Sequence, residues 1–437
     1  MRKVVSLILF LFVFALSSYG EDLIDQLLER AIQNDFKLKS LKHQEKAKEY
    51  QIEQSKSQYK PQISFSSYIG WQEYKPYYGD NRKQTLKYFY LSLKQPIYRP
   101  DVFSQIKISK LYKSVARLKV EQEEQYMKYI FFNTLFDYLY AKEKLSIYTQ
   151  IKDLNKKKLI YVNKLYSYKR ATKEDLNLAE NSYQEAYISF KEAEVELRNY
   201  KNALFLLISW NNAQSFTEDL VNKISLNINL SVKNLTKNYS WWLSKLDNNF
   251  EIREAKKNVE IAKREIKKRK YQRYPKVDLE VSYRYSSTSA VSVASDDKRI
   301  ALIIDFPLYQ GGYVTSLVME AKELEKSALM DLESIKQQNK FNLKDNYYIL
   351  KKSAEKIGNL KKQLFILEEL LKNVERGKEK KIKTELDIIN TKLKILEVKL
   401  SLLEEYHNFY VAYSKLLYLT GALNESGIKR LKMFLIF

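Results

Sequence analysis

The chain contains 437 residues, of which 30% are charged, and its formal net charge at pH 7 is +23. It has no cysteine, which excludes disulfides, thiol catalysis and cysteine-ligated metal. Nine glycines and six prolines are few for this length, because these residues interrupt helices and strands. The composition therefore predicts long, uninterrupted secondary-structure elements in two or three domains.

The N-terminus has the pattern of a secretory signal peptide. Arg2 and Lys3 precede an apolar run from Val4 to Leu16, and small residues stand just before Glu21. The alternative is a membrane anchor, but this run is shorter than the ~20 residues that a spanning helix requires. We therefore predict a signal at residues 1–20 and an exported mature chain. Export argues against nucleic acid as the partner of the excess positive charge, so we interpret the lysines as solvated helix surfaces.

The mature sequence contains two similar halves. Four short segments recur in the same order at offsets of 211 to 214 residues, namely Asn34–Leu38 with Asn248–Ile252, Tyr59–Phe65 with Arg273–Leu279, Leu93–Tyr98 with Ile304–Tyr309, and Thr172–Leu176 with Thr384–Ile388. A period of this length indicates a duplicated domain. We predict a first repeat at 21–213, a linker or equatorial segment at 214–235, a second repeat at 236–423 and a C-terminal tail at 424–437.

Each predicted repeat begins with a helix and continues with two strands bounded by prolines. The strands are predicted at about 62–72 and 85–98, and at about 276–287 and 298–309. In the second pair the apolar residues share one face, which we predict to face lipid: Val277, Leu279, Val281, Tyr283, Ile300, Leu302, Ile304 and Phe306. Alternation of this kind is typical of transmembrane β-strands, although a soluble sandwich would also alternate. Four strands cannot close a barrel alone, so a barrel requires several chains, and three chains would supply twelve strands.

A long helical hairpin completes each repeat, at 102–209 and at 313–421. The second helix of the first hairpin has apolar residues at alternating three- and four-residue spacings, from Leu176 through Ala179 and Tyr183 to Leu207. The equivalent residues of the second hairpin run from Ile388 to Leu419, with only Thr391 and Glu405 polar. A sustained period of 3.5 residues predicts knobs-into-holes packing between paired helices. The two polar residues are interpreted as ordinary variation within this seam.

Both heptad helices are predicted to begin with the same cap. Thr172 and Thr384 each stand three residues before an aspartate, Asp175 and Asp387. A threonine N-cap followed by a carboxylate at the third helical position satisfies free backbone N–H groups and interacts favourably with the helix dipole.

Over essentially its whole mature length the chain resembles the TolC-type outer-membrane efflux proteins. The resemblance rests on the duplicated half, the proline-bounded strand pairs, the heptad hairpins and the closing segment Leu417–Gly421. It implies a membrane α+β fold: a trimeric twelve-stranded transmembrane β-barrel, with four strands per chain, continued by a long α-helical coiled-coil barrel. The implied location is the cell outer membrane, in contact with outer-membrane lipid, with a long periplasmic domain.

The resemblance also implies a function and partners. The channel would be the passive exit duct of a tripartite efflux or type I secretion system. Its partners would be a periplasmic adaptor (membrane fusion protein) and an inner-membrane transporter of the RND, ABC or MFS class. The family places a constriction just after the helix turn, where this chain has Asp175, Asp387 and Asn390. Asn390 stands where relatives often carry a second acid.

Two other classes of function can be compared with the channel. An enzyme is disfavoured, because His43 and His407 are far apart and the sequence shows no nucleophile elbow, phosphate loop or metal-ligand spacing. No cofactor is expected. The alternative to a channel is an exported basic coiled-coil scaffold or adhesin, which would have no need of the alternating strands.

Overall fold

The computed structural model describes residues 23–75, 77–208, 224–232, 235–288 and 293–436. The predicted signal peptide at 1–20 lies outside these ranges, as do residues 209–223 and 233–234, which include much of the predicted linker. The helices are α1 (23–34), α2 (Phe36–Ser57), α3 (Pro100–Ser167), α4 (Lys173–Ile208), α5 (Tyr239–Lys245), α6 (Phe250–Lys270), α7 (Tyr313–Glu379), α8 (Glu385–Leu419) and α9 (Glu425–Lys432). The strands are β1 (Gln62–Tyr74), β2 (Arg82–Tyr98), β3 (Ser225–Leu226), β4 (Lys276–Thr288), β5 (Val293–Asp305) and β6 (Leu435–Ile436).

The chain divides into two compact units. The first unit contains the described residues of Met1–Lys39, Glu121–Phe250 and Lys336–Phe437. The other contains Ser40–Val120 and Glu251–Ile335. Each unit takes segments from both halves of the sequence. Among the helices that the structure describes, none is both long enough and apolar enough to cross a membrane.

A four-stranded antiparallel sheet lies in the second unit, in the order β1-β2-β4-β5. The register pairs Ile63 with Leu93, Leu93 with Val281, and Val281 with Ile300. Because side chains alternate across a pleated sheet, these four apolar residues share one face. The sheet therefore has two unpaired edges, β1 and β5, and one face that carries a continuous apolar patch.

The predicted bounds of the last strand were wrong. The sequence pattern placed it at 298–309, whereas β5 covers Val293–Asp305. It begins earlier because its whole length pairs with β4, from Thr288 opposite Val293 to Lys276 opposite Asp305. The serine- and aspartate-rich stretch at its start is typical of a loop, but pairing with β4 outweighs that local preference. Phe306 therefore follows the strand and is not one of its residues.

A buried ion cluster holds the end of β2 against β4. Asp278 is only 5% exposed, and the guanidinium of Arg99 donates to both of its carboxylate oxygens, at 2.9 and 2.6 Å. The ammonium of Lys94 lies 3.0 Å from the same carboxylate. These donors offset the cost of removing the carboxylate from water. Removing one partner of a buried ion pair typically lowers the stability of the fold by about 3–5 kcal/mol.

The two helical hairpins have closely similar dimensions and turns. The helices α3 and α7 contain 68 and 67 residues, and α4 and α8 contain 36 and 35. At 1.5 Å per residue, the two longer helices each extend for roughly 100 Å. Each of them is followed, two positions after its last residue, by a residue with left-handed backbone conformation, Lys169 (φ 55°) and Lys381 (φ 62°). The next N–H bonds back to a carbonyl five residues earlier, Arg170 to Leu165 and Ile382 to Gly377, both at 2.8 Å, as in a Schellman motif.

An aromatic core around α8 fills the first unit. Trp242, Phe409, Tyr410 and Phe434 are fully buried, and the rings of Tyr410 and Phe434 stack with centroids 4.2 Å apart. Phe434 belongs to the segment predicted as a C-terminal tail. That segment instead forms α9 and then β6, which pairs with β3. Phe434 and Leu435, close to the end of the described chain, are therefore part of the core.

Candidate functional site: the sheet faces and the hairpin turns

The apolar face of the sheet is exposed in the single chain. Ile300, Leu302 and Ile304 of β5 are 77%, 61% and 63% exposed. Val281 and Tyr283 of β4 lie on the same face and are also exposed, whereas Val277 and Leu279 are half-buried. Phe306 is exposed but lies beyond the strand. A continuous exposed apolar surface of this kind indicates contact with another apolar phase or partner.

The opposite face of the sheet is polar, and its side chains form ordered cross-strand rows. One row runs from Ser64 through Ser92 and Ser282 to Arg299, and the hydroxyls of Ser64 and Ser92 are 2.8 Å apart. The next row contains Tyr90, Arg284 and Asp297. A sheet that is apolar on one side and polar on the other matches the outer and inner surfaces of a transmembrane β-barrel.

The hairpin turns place both predicted caps at the first turn of a heptad helix. The amide of Asp175 donates to the hydroxyl of Thr172 (3.1 Å), and the amide of Thr172 donates to the carboxylate of Asp175 (2.8 Å). The same reciprocal pair joins Asp387 and Thr384, at 3.2 and 2.8 Å. These are capping boxes with aspartate at the third position.

The caps also set the ionisation of the two aspartates. Hydrogen bonds from the threonine amide and hydroxyl hold the pKa of the Asp175 carboxyl below its ordinary value of 3.8, and the same donors on Thr384 do so for Asp387. Bonds to the charged form of a carboxylate favour that form. Asn390 lies exposed one helical turn after Asp387. At this turn Lys378 forms an ion pair with Glu385, so cationic and anionic groups are interspersed.

The sequence interpretation missed a buried polar contact on α8. Glu405 is only 8% exposed; one of its carboxylate oxygens accepts from Lys356 Nζ at 2.6 Å and the other from Ser353 Oγ at 2.8 Å. The hydrogen bond with Glu405 raises the pKa of Lys356. The available signal was a lone acidic residue in an otherwise apolar seam. Such a residue predicts a cation on the neighbouring helix, because an unpaired buried charge is very unfavourable.

The two histidines have different surroundings. His43 is exposed on α2. His407 Nε2 lies 2.6 Å from Asp137 Oδ1, and its ring packs against Tyr140 with centroids 4.6 Å apart. Over the residues that the structure covers, no group of three or more histidine, aspartate or glutamate side chains is arranged to hold a metal ion.

Comparison with known proteins finds a matching family model. The model of the family described as outer membrane efflux protein matches residues 243–422. The second half of the chain therefore matches the outer membrane efflux protein family. The sequence resemblance to TolC-type proteins is thereby confirmed. This family consists of outer-membrane channel proteins and not of enzymes. A search of curated protein sequences gives no match.

Solved structures of outer membrane proteins have a similar fold. The outer membrane protein VceC from Vibrio cholerae has a TM-score of 0.74 at 14% identity, over 91% of this chain and 96% of that one. The CmeC outer membrane channel of Campylobacter jejuni has a TM-score of 0.72 at 12% identity, over 94% and 89%. The MtrE outer membrane channel of Neisseria gonorrhoeae, in its open state, has a TM-score of 0.71 at 15% identity, over 93% and 89%. At these identities the similarity shows that the outer membrane efflux fold extends over nearly the whole chain.

Proposed function

We propose that this chain forms the outer-membrane channel of a tripartite efflux or type I secretion system. It conducts substrate passively from the periplasmic side to the exterior. A periplasmic adaptor and an inner-membrane transporter of the RND, ABC or MFS class supply the substrate and the energy. Export by the signal peptide at 1–20 and residence in the outer membrane are parts of the same proposal.

The observation that carries this proposal is the incomplete sheet. Its exposed face is apolar, its other face is polar, and β1 and β5 leave both edges unpaired. An apolar sheet with open edges is unstable in lipid, because no water satisfies the edge N–H and C=O groups. Closure with other copies removes both edges. Three copies give twelve strands, an even number within the range of bacterial barrels.

Exposed apolar residues on the helices support the same trimer. On α4 they include Leu178, Ile188 and Val195, and on α7 they include Phe341, Tyr348 and Phe365. Several are seven residues apart, which is the spacing of a coiled-coil seam. Three chains with two hairpins each give a tunnel of twelve helices. The matched caps and turns of the two hairpins support an origin by internal duplication.

Two measurements test the proposed function. Native mass spectrometry of the detergent-solubilised protein is expected to give the mass of three chains without their signal peptides. The same preparation should produce discrete conductance steps in a planar lipid bilayer. A stable monomer in detergent would contradict the barrel. Release of the protein from the envelope without detergent would favour the exported scaffold or adhesin instead.

The hairpin turns are the proposed periplasmic aperture. Asp175, Asp387 and Asn390 lie at the first turns of α4 and α8, where the family has its constriction. Three chains would bring six aspartates to this ring. The nearby lysines of the second turn reduce its negative potential, so we expect only a weak preference for cations.

A further inference from the structure

The polar face of the sheet changes from small to bulky side chains along the strands. Ser64, Ser92 and Ser282 form one row with Arg299. The next two rows contain Tyr90 beside Arg284, and Tyr68 beside Tyr88. We call Tyr68, Tyr88 and Tyr90 the tyrosine collar. Because serine is much smaller than tyrosine, the collar would narrow a barrel whose lumen is lined by this face.

Membrane contact does not explain the collar. Aromatic residues gather at the lipid interfaces of transmembrane barrels, on the outer surface. Phe89 and Tyr285 fit that pattern, because they lie on the apolar face with ring centroids 6.0 Å apart. The collar tyrosines occupy the alternate positions of their strands and therefore the opposite face. Three aromatic rings on the water-facing side of a strand pair call for another role.

Two of the collar rings are held in a fixed arrangement, and the third is accessible. Tyr88 and Tyr90 are nearly parallel, with an interplanar angle of 15° and centroids 6.2 Å apart. The hydroxyl of Tyr90 donates to Glu280 at 2.9 Å, which fixes that ring by its polar end. Tyr68 is 54% exposed. Ordered rings with accessible faces favour stacking of a planar aromatic molecule, since little rotamer entropy is lost when it binds.

Two guanidinium groups accompany the collar. The Arg284 guanidinium carbon lies 5.8 Å from the centre of the Tyr90 ring, and Arg299 is one row away on β5; both side chains are exposed. The acids on this part of the face are Asp297, which is opposite Arg284 in the register, and Glu280, which accepts from Tyr90. A guanidinium beside an aromatic face can bind a carboxylate while the ring of the same ligand stacks on tyrosine.

We propose that the tyrosine collar, with Arg284 and Arg299, is a binding site for planar aromatic anions, in particular aromatic carboxylates, that pass through the channel. This site deepens the proposed function and rests on it, because the polar face lines a lumen only in the closed barrel. Binding at such a site is transient. An aromatic carboxylate that binds there is expected to block the ionic current through the channel.

The test measures how much each probe blocks the ionic current through trimers of the mature chain in planar lipid bilayers. The probes are naphthalene-2-carboxylate and cyclohexanecarboxylate, which carry the same charge but differ in aromatic character. Wild-type channels are expected to be blocked by the naphthalene compound at much lower concentration. In the double variant Tyr88→Leu/Tyr90→Leu the blocking concentration should rise about tenfold or more, since stacking on one aromatic side chain contributes roughly 1–3 kcal/mol. In Tyr88→Phe/Tyr90→Phe, which keeps both rings, the block should persist.

Two further variants separate the site from general effects on the channel. Phe89→Leu/Tyr285→Leu removes the same number of rings from the opposite face and should leave the block unchanged. Arg284→Gln should weaken block by naphthalene-2-carboxylate but not by uncharged 2-naphthalenemethanol. Equal block by the two carboxylates, or unchanged block in Tyr88→Leu/Tyr90→Leu channels that still conduct, would overturn the site while leaving the channel intact. If the wild-type protein gives no conductance, the proposed channel itself fails, and the site fails with it.

Discussion

The helices α4 and α8 begin in the same way but have different surroundings along their length. Both start with a threonine–aspartate cap, and both carry a heptad pattern of similar length. In α8 every heptad residue from Ile388 to Leu419 is buried. In α4 the buried heptad residues are the three alanines and Leu204, whereas Tyr183, Phe190 and Leu197 stay half-exposed.

The difference shows that one chain covers the heptad residues of α8 by itself but leaves those of α4 partly exposed. The middle of α8 packs against aromatic residues from elsewhere in the first unit, including Trp242 on Tyr413 and Phe434 on Tyr410. On α4 the alanines are buried because they are small. The larger heptad residues between them remain partly exposed to solvent, on what we call the open side of α4. The exposed Ile188 and Val195 continue that open side. In the proposed trimer a neighbouring chain covers α4, while α8 needs no such cover.

The largest expected effect is a cavity in the α8 seam. Phe409 is fully buried, so Phe409→Ala should lower the free energy of unfolding by about 3–5 kcal/mol. Its matched control is Leu197→Ala, at the equivalent heptad position of α4, where the side chain is half-exposed. Guanidinium chloride unfolding in detergent, followed by tryptophan fluorescence, measures both. Equal losses in the two variants would show that the two seams are covered alike.

The two faces of the sheet give a second contrast. The apolar face is expected to contact lipid, whereas the polar face is expected to contact water. Val281→Arg places a charge on the apolar face and should destabilise the membrane-inserted protein by about 2–4 kcal/mol near the bilayer midplane. Ser282→Arg, on the polar face one residue later, should be tolerated. Folding into lipid vesicles, followed by the heat-induced shift in gel mobility, compares the two. If both variants fold equally poorly, the assignment of the faces is wrong.

The open side of α4 is expected to matter for assembly and not for the single chain. Ile188 is 56% exposed, and covering the rest of its side chain contributes about 1–1.5 kcal/mol. Ile188→Ser should therefore lower the temperature at which trimers dissociate in mild detergent. The equivalent residue of α8, Leu400, is half-buried in the single chain, so Leu400→Ser should act on folding as well. A trimer of Ile188→Ser that is as heat-resistant as wild type would mean that no chain covers this side.

Patterns that depend on period alone could be read from the sequence. The outer bounds of both helical hairpins lie within two residues of the predicted ones. In α3 neither proline nor glycine interrupts the run between Val102 and Tyr166. The strands β1, β2 and β4 begin and end within three residues of the predicted bounds. The bounds of β5 were not, because pairing with β4 overrides the loop-like composition of its first residues.

Contacts between distant segments could not be read in this way. The ion cluster of Asp278 with Arg99 joins residues 179 positions apart, and Glu405 meets Lys356 from another helix. A lone acid in a strand or seam predicts that a cation is near but does not identify it. The tyrosine collar was missed because Tyr68, Tyr88 and Tyr90 come together only through the register of β1 with β2 and the alternation of side chains.

The smallest expected effect concerns the feature that α4 and α8 share. In Asp175→Asn/Asp387→Asn both caps lose a charge-assisted bond, so the thermal midpoint should fall slightly. The pKa of each carboxyl lies below 3.8 in the folded chain. Because the folded value is the lower one, the stabilising contribution is complete above the unfolded pKa and is lost as the pH falls through the folded pKa. Wild type should thus be destabilised by acid more steeply than the double variant.

The same double variant decides whether the caps also form the aperture. In the proposed trimer six carboxylates meet in one ring, and charges within about 8 Å act with little screening at physiological salt. The basic turn from Lys378 to Lys383 opposes them, so the wild-type preference for cations should be weak. Reversal potentials in a potassium chloride gradient measure this preference. Loss of selectivity in intact trimers of the double variant supports the ring. Unchanged selectivity with a lower thermal midpoint would leave Asp175 and Asp387 as helix caps alone.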